Sequence, residues 1–139
     1  MKGGYDMNAE KVVLWFVDAI NHADINRLAT LMTPSHTFVD SDGSTIIGQA
    51  AVLDGWSRYF SMVRDYRITV HETFSSRKTV ILVGKATGAF TGDNQSGSEN
   101  RWTVPAAWRA VTEANQVAVW QIFVSPEPIL AAMRNKEER

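Results

Sequence analysis

The sequence predicts an α+β domain, with helices gathered on one face of an antiparallel sheet. Up to about residue 63 the apolar residues recur with the period of a helix; from Tyr66 to Val124 they recur with the period of a strand. No linker, repeat or shift in composition separates the two halves. They are therefore read as one domain over residues 8–133, with 1–7 and 134–139 as mobile tails. A chain of 139 residues, 45% hydrophobic and 21% charged, has the size and composition of a single soluble globular unit.

The elements follow in order. Val13, Phe16, Val17 and Ile20 form the stripe of a first helix over 8–22, with Asn8 as its N-cap. Asp24 caps a second, shorter helix in which Leu28, Leu31 and Met32 share a face, and Thr33-Pro34 ends it. Thr37-Phe38-Val39 reads as a short strand closed by Asp40, and Ser41-Asp42-Gly43 as a tight turn. Gly48-Gln49 leads into a third helix through about Val63, apolar along Val52, Leu53, Trp56, Tyr59, Phe60 and Val63.

Strands are then expected over Tyr66 to Phe74, Thr79 to Phe90, Arg101 to Thr112 and Gln116 to Val124. Ser75 to Lys78 and Glu113-Ala114-Asn115 make hairpin turns, while Thr91 to Ser98 is polar, glycine-rich and expected to be mobile. Pro105 cannot donate to a ladder, so it marks an edge or a bulge. Ser125-Pro126-Glu127-Pro128 stops the sheet, and Ile129 to Met133 forms a last turn of helix.

Val80 to Val83 and Val117 to Trp120 are apolar at both parities, and a strand apolar on both sides is normally covered on both. The helices reach one face only. A homodimer through the other face is expected, using Ile81, Val83, Val117, Val119 and Phe123.

Several function classes are excluded or disfavoured. Net charge is −1 with Lys and Arg scattered, which indicates neither a nucleic-acid partner nor a membrane surface. The absence of cysteine rules out thiol catalysis, disulfides and thiolate metal sites, and fits a cytoplasmic location. No apolar h-region follows Met1-Lys2-Gly3-Gly4, and the Asn94-Gln95-Ser96 sequon is read as chance. His22, His36 and His71 show no ligand spacing; neither a metal nor a cofactor is expected. His36 shares the strand parity of Phe38 and Asp40, which would place it deeper along the same face.

Asp40 is the candidate for chemistry. A carboxylate at a strand end is either a turn-former bonded to its own backbone or a group aimed into a pocket, where loss of water makes it a base. The Asn21-x-x-Asp24 turn, Thr37-x-x-Asp40-x-x-Gly43, Gly48 opening the third helix and Pro105 in a late strand together resemble the nuclear transport factor 2-like superfamily, in its SnoaL-like polyketide cyclase and ketosteroid isomerase-like branch. The resemblance spans about residues 9 to 125. It implies a cone-shaped curved sheet, mixed or antiparallel, with three helices of the N-terminal half on its concave face (a cystatin-like α+β barrel).

Residue by residue, the resemblance puts Asp40 at the isomerase's catalytic base. Phe16 falls where the isomerase has its oxyanion tyrosine, Ala107 where it has a protonated aspartic acid, and Trp56 where it has another pocket tyrosine. With both oxyanion donors absent, steroid isomerisation by the family's mechanism is not expected. If Ala107 points into the cone, alternation brings Arg109 to the same side as a cationic substitute. Phe60 and Trp120 would add apolar wall, and Ala86 and Gly88, sharing parity with Gly84, a bare one. The expected ligand is a small, largely apolar organic molecule, polyketide-like or terpenoid, handled by isomerase-, cyclase- or hydrolase-type acid–base chemistry. The alternative is a non-catalytic ligand-binding or protein-interaction domain of the same fold.

Overall fold

In a computed structural model, residues 4–91 and 100–137 are described, with side chains over 9–91 and 100–134. The order is α1 (Gly4–Asn21), α2 (Ile25–Thr30), β1 (Met32–Val39), β2 (Thr45–Ile47), α3 (Gln49–Met62), β3 (Val63–Ser76), β4 (Thr79–Phe90), β5 (Arg101–Glu113), β6 (Gln116–Val124) and α4 (Glu127–Glu137). One mixed six-stranded sheet runs β2-β1-β6-β5-β4-β3. It curls without closing. The glycine-rich segment expected to be mobile and the sequon fall almost wholly in 92–99, outside the described residues.

Some boundaries move. α1 begins at Gly4, inside the stretch expected to be a tail, so Asn8 lies within the helix and not at its cap; nothing from Tyr5 to Met7 opposes helix formation. α4 likewise runs past Met133 to Glu137. α1 stops at Asn21, whose side-chain amide donates to Ile68 O at 3.0 Å and accepts from Ile68 N at 2.7 Å, tying the helix end to β3. Asp24 caps α2 as expected, its carboxylate accepting from Arg27 N at 3.1 Å.

α2 ends at Thr30, and the chain turns at once into β1, so Met32 and Thr33 open a strand instead of closing a helix. β1 pairs parallel with β6 (Met32↔Val117, Thr37↔Val119), and Pro34 sits where that register shifts. β2 was not foreseen: it is three residues long, on the surface, and antiparallel to β1 through Thr37↔Ile47. The turn between them is the expected one. Asp40 N donates to Ser44 O at 2.8 Å, Gly43 N to Asp40 O at 2.9 Å, and Gly43 takes φ +89°. Gly48 (φ +104°) then starts α3, with its own N–H donating to His36 O at 2.8 Å.

β4 and β6 have the expected bounds, and β5 is one residue longer. The β5–β6 hairpin closes on Ala114 and Asn115, both at positive φ (49° and 64°). Pro105 pairs with Lys85 on one side, while pairing with β6 ends at Ala106↔Val124, so the proline sits at a local edge and not at a bulge. The β5–β6 irregularity falls instead between Val111 and Thr112.

Along β4 and β5 the inward side chains are Val80, Leu82 and Ala86, facing Ala110, Trp108 and Val104. α1 lies against this concave face: Phe16 meets Trp120 at 5.0 Å between ring centroids, and Trp108 stacks on Trp120 at 6.4 Å. Burial of these large rings dominates the core. The opposite parity of the same strands stands on the convex face. Ile81, Val83, Val119 and Phe123 are among it, whereas Val117 is fully buried on the concave side, before the irregularity shifts the parity.

Candidate functional site

A cavity of about 510 Å³ opens at the mouth of the cone. β1 contributes Phe38 and, at its end, Asp40; α3 contributes Val52, Gly55, Trp56 and Tyr59. Tyr66 comes from β3, Trp120, Ile122 and Val124 from β6, and Ile129 and Leu130 from α4, so segments far apart in sequence converge on it.

The aromatic wall is continuous. Tyr59 meets Tyr66 edge-on at 5.1 Å, Trp56 meets Tyr59 at 6.1 Å and Tyr66 at 6.4 Å, and Phe38 meets Trp56 at 6.3 Å. Burial pushes the phenol of Tyr59 far above its ordinary range, and the Asp40 charge adds to the effect. Burial does the same to Tyr66, helped by Tyr59. Both phenols are therefore neutral near pH 7 and retain an O–H to donate.

Asp40 falls between the two alternatives. Its carboxylate lines the cavity, yet the residue is exposed at the rim and Oδ1 accepts from Ser41 N at 2.7 Å. It is a turn-former that also faces the pocket, and not a carboxylate desolvated in its depth.

Trp56 and Trp120 line the cavity. The Trp56 indole N–H, however, is sealed off and meets no acceptor among the described residues, so this residue offers the cavity its ring and not a donor. The other expected wall residues lie elsewhere. Phe16 is fully buried between His36 and Trp120, in the core behind the cavity. Phe60 stacks on Trp56 at 5.3 Å and faces a separate, smaller cavity of about 210 Å³.

Ala86 and Gly88 do face inward, but the space over them is filled: a Cβ on Gly88 would come within 2.7 Å of Val63 Cγ1 and 2.8 Å of Trp102 Cζ2. On Gly84 it would collide with the Thr69 carbonyl of the neighbouring strand. The bare wall is close packing and not room for a ligand.

Ala107 and Arg109 are on the convex face. Ala106, Trp108 and Ala110 are the buried parity of β5, and Arg109 reaches Gln121 Oε1 at 3.4 Å across the outer surface. Arg109 is therefore not a substitute for the missing donors.

Tyr59 was expected on the apolar side of α3 and Tyr66 as the start of a strand; neither was singled out for the site. Their signal was a pair of phenols seven positions apart across a helix-to-strand junction, and it is legible only once α3 and β3 are known to fold back on one another. His36 is deep, as its parity implied. Because Val117 O can only accept, His36 Nδ1 donates to it, at 2.7 Å, and the bare Nε2 is buried without a partner among the described residues. Burial lowers its pKa against the opposing pull of that bond.

Among the described residues there is no cluster of His, Asp and Glu that could hold a metal ion, and no helix is long and apolar enough to cross a membrane.

The fold has known counterparts. A protein with a ketosteroid isomerase-like fold from Catenulispora acidiphila, solved with trimethylamine, superposes with a TM-score of 0.75 at 21% identity, over 87% of this chain and 90% of that one. A protein described as a SnoaL-like polyketide cyclase, from a Jannaschia species, gives a TM-score of 0.81 at 17% identity over 95% of each chain. An epoxide hydrolase of M. tuberculosis gives 0.77 at 10% identity, over 96% of this chain and 94% of that one. At such identities the likeness is one of fold. No curated protein sequence matches the chain. The SnoaL-like domain family matches residues 13–121, most of the length of the sheet and the helices beneath it, and the chain belongs to that family.

Proposed function

We propose that this protein takes a small, largely apolar organic molecule into the mouth of its cone and moves a proton on it with Asp40. The supporting observation is one cavity in which an aromatic wall, two neutral phenols and a single strand-end carboxylate converge. An apolar ligand seated on that wall covers the rim and strips water from Asp40, which strengthens it as a base. A carbonyl on the ligand then gains negative charge as the neighbouring carbon loses its proton, and Tyr59 or Tyr66 is the donor available to that oxygen. Phe16 and Ala107 have no part in this arrangement. In place of the donors that the isomerase carries at those positions, the phenols come from α3 and β3.

The test is exchange of carbon-bound hydrogen for deuterium in small cyclic ketones, followed by NMR. Exchange above the buffer rate in the intact protein, lost in Asp40→Asn and reduced about a hundredfold in Tyr66→Phe, is the expected result. A ketone that binds in the cavity without any exchange would instead favour the non-catalytic binding domain, a reading supported by the exposure of Asp40 and its bond to Ser41.

We also propose a homodimer through the convex face, because large apolar side chains stand there uncovered: Phe74 is 55% exposed and Phe123 48%.

A further inference from the structure

The charged side chains that line the cavity are all acidic. Among the described residues they are Asp40 and Asp42, and no Lys, Arg or His joins them in the lining. Neither carboxylate enters an ion pair among the described residues; the acids that do are Asp18, Asp54, Asp65 and Glu127. Both are fixed by their own turn. Asp40 Oδ1 accepts from Ser41 N, and Asp42 Oδ1 accepts from Ser44 N at 2.8 Å and from the Ser44 hydroxyl at 2.7 Å. In each case the second carboxylate oxygen has no hydrogen-bond partner among the described residues. Those bonds from Ser44 also hold Asp42 below the usual carboxylate range, so it is charged at neutral pH.

Behind this rim stand the rings of Phe38, Trp56, Tyr59, Tyr66 and Trp120. Aromatic faces attract a cation, most strongly where water is excluded. Two uncompensated carboxylates at a cleft with low-dielectric walls focus a negative potential into it. The same field repels a carboxylate or phosphate ligand. A neutral ligand would satisfy the aromatic wall but would leave the carboxylates without any function in recognition.

We propose that the ligand of this cavity is an organic cation: an alkylated amine whose positive head sits between the Asp40–Asp42 rim and the aromatic wall. Its apolar body packs against Ile122, Val124, Ile129 and Leu130. The inference rests on the cone cavity being the ligand site and adds to that reading the charge of the substrate class.

The experiment compares three probes of similar length on the full chain: hexyltrimethylammonium, 1-octanol and octanoate. Calorimetry measures affinity, and the indole N–H resonances of Trp56 and Trp120 report where each probe binds. The ammonium is expected to bind about tenfold more tightly than octanol, with octanoate weakest. Raising salt should weaken the ammonium and leave octanol unchanged. In Asp40→Asn with Asp42→Asn, which keeps the acceptor oxygens of the turn, the advantage of the ammonium should fall to within about threefold. Octanol or octanoate binding as tightly as the ammonium, or an ammonium advantage indifferent both to salt and to the double variant, overturns the proposal. If octanol shifts the indoles and the ammonium does no better, the cationic head is wrong and the cavity stands. If no probe shifts them, the cavity itself is wrong as the ligand site.

Discussion

The concave and convex faces belong to the same strands, and alternate residues feed them. Inward go Trp102, Trp108 and Trp120, each at most 4% exposed: Trp108 stacks on Trp120, Trp120 meets Phe16 of α1, and Trp102 meets Tyr66 and Phe90. Outward go Ile81, Val83, Ala107, Arg109, Val119 and Phe123, half-buried or exposed, with Arg109 and Gln121 paired across the middle. The inner face is covered by the chain's own helices, whereas the outer one carries exposed apolar side chains such as Phe123 among its polar ones. The difference separates two roles: the inner face makes the fold, and the outer face is the one through which we propose that the dimer forms.

The largest expected effect breaks the inner face. Trp108→Ala leaves a cavity against Trp120 and should cost about 3–5 kcal/mol, read from denaturant unfolding. A smaller cost would mean that α1 can collapse onto the gap. On the outer face, Val119→Asp should leave unfolding of the subunit nearly unchanged yet halve the mass seen by light scattering. A wild-type monomer at micromolar concentration would remove the convex dimer altogether.

His36 sharpens the comparison through pH. It is the one histidine buried in the inner face, and burial, the larger influence, lowers its pKa below the ordinary 6.5. The unfolded chain therefore takes up the proton first, so stability is full above that range and declines as pH falls through about 6.5. His36→Gln should flatten the decline in thermal melts from pH 7.5 to 5; an unchanged slope would assign it to other groups. The smallest effect is Arg109→Ala. Lying on the outer face, it should alter affinity for a pocket ligand by less than about twofold.

The legibility of the sequence divides along the same line. β4 and β6 could be bounded to the residue because turn chemistry flanks them: Arg77-Lys78 before β4, Ala114-Asn115 before β6 and Ser125-Pro126 after it. The inward parity of β5 was also legible. Trp102, Val104, Ala106, Trp108 and Ala110 alternate with Arg101, Thr103 and Arg109, and that pattern should outweigh the resemblance, which led to Ala107 and, by alternation, to Arg109.

β1 was obscured by Pro34, which marks a helix end more readily than a strand, and β2 by its brevity. The site was only half readable. Asp40 announces itself beside a turn, but Tyr66, Ile122 and Leu130 become neighbours through folding alone, and no local pattern distinguishes them from ordinary core.

The pairing of β1 with β6 has a consequence in time. β3 to β6 form a meander in which consecutive strands pair and the first and last hairpins each turn over two residues, so its pairings can form before β1 finds its partner. β1 must wait. Met32 pairs with Val117, and the bond from His36 to Val117 O spans 81 positions, so β1 has no partner in the meander until β6 is made, whereas the end of α1 is already held to β3 by Asn21. The sheet is thus completed by the pairing of β1 with β6, and β1 is the strand that brings Asp40 to the mouth. A chain stalled before β6 would hold β3 to β5 and an unanchored β1, open to the chaperones and proteases that patrol nascent proteins.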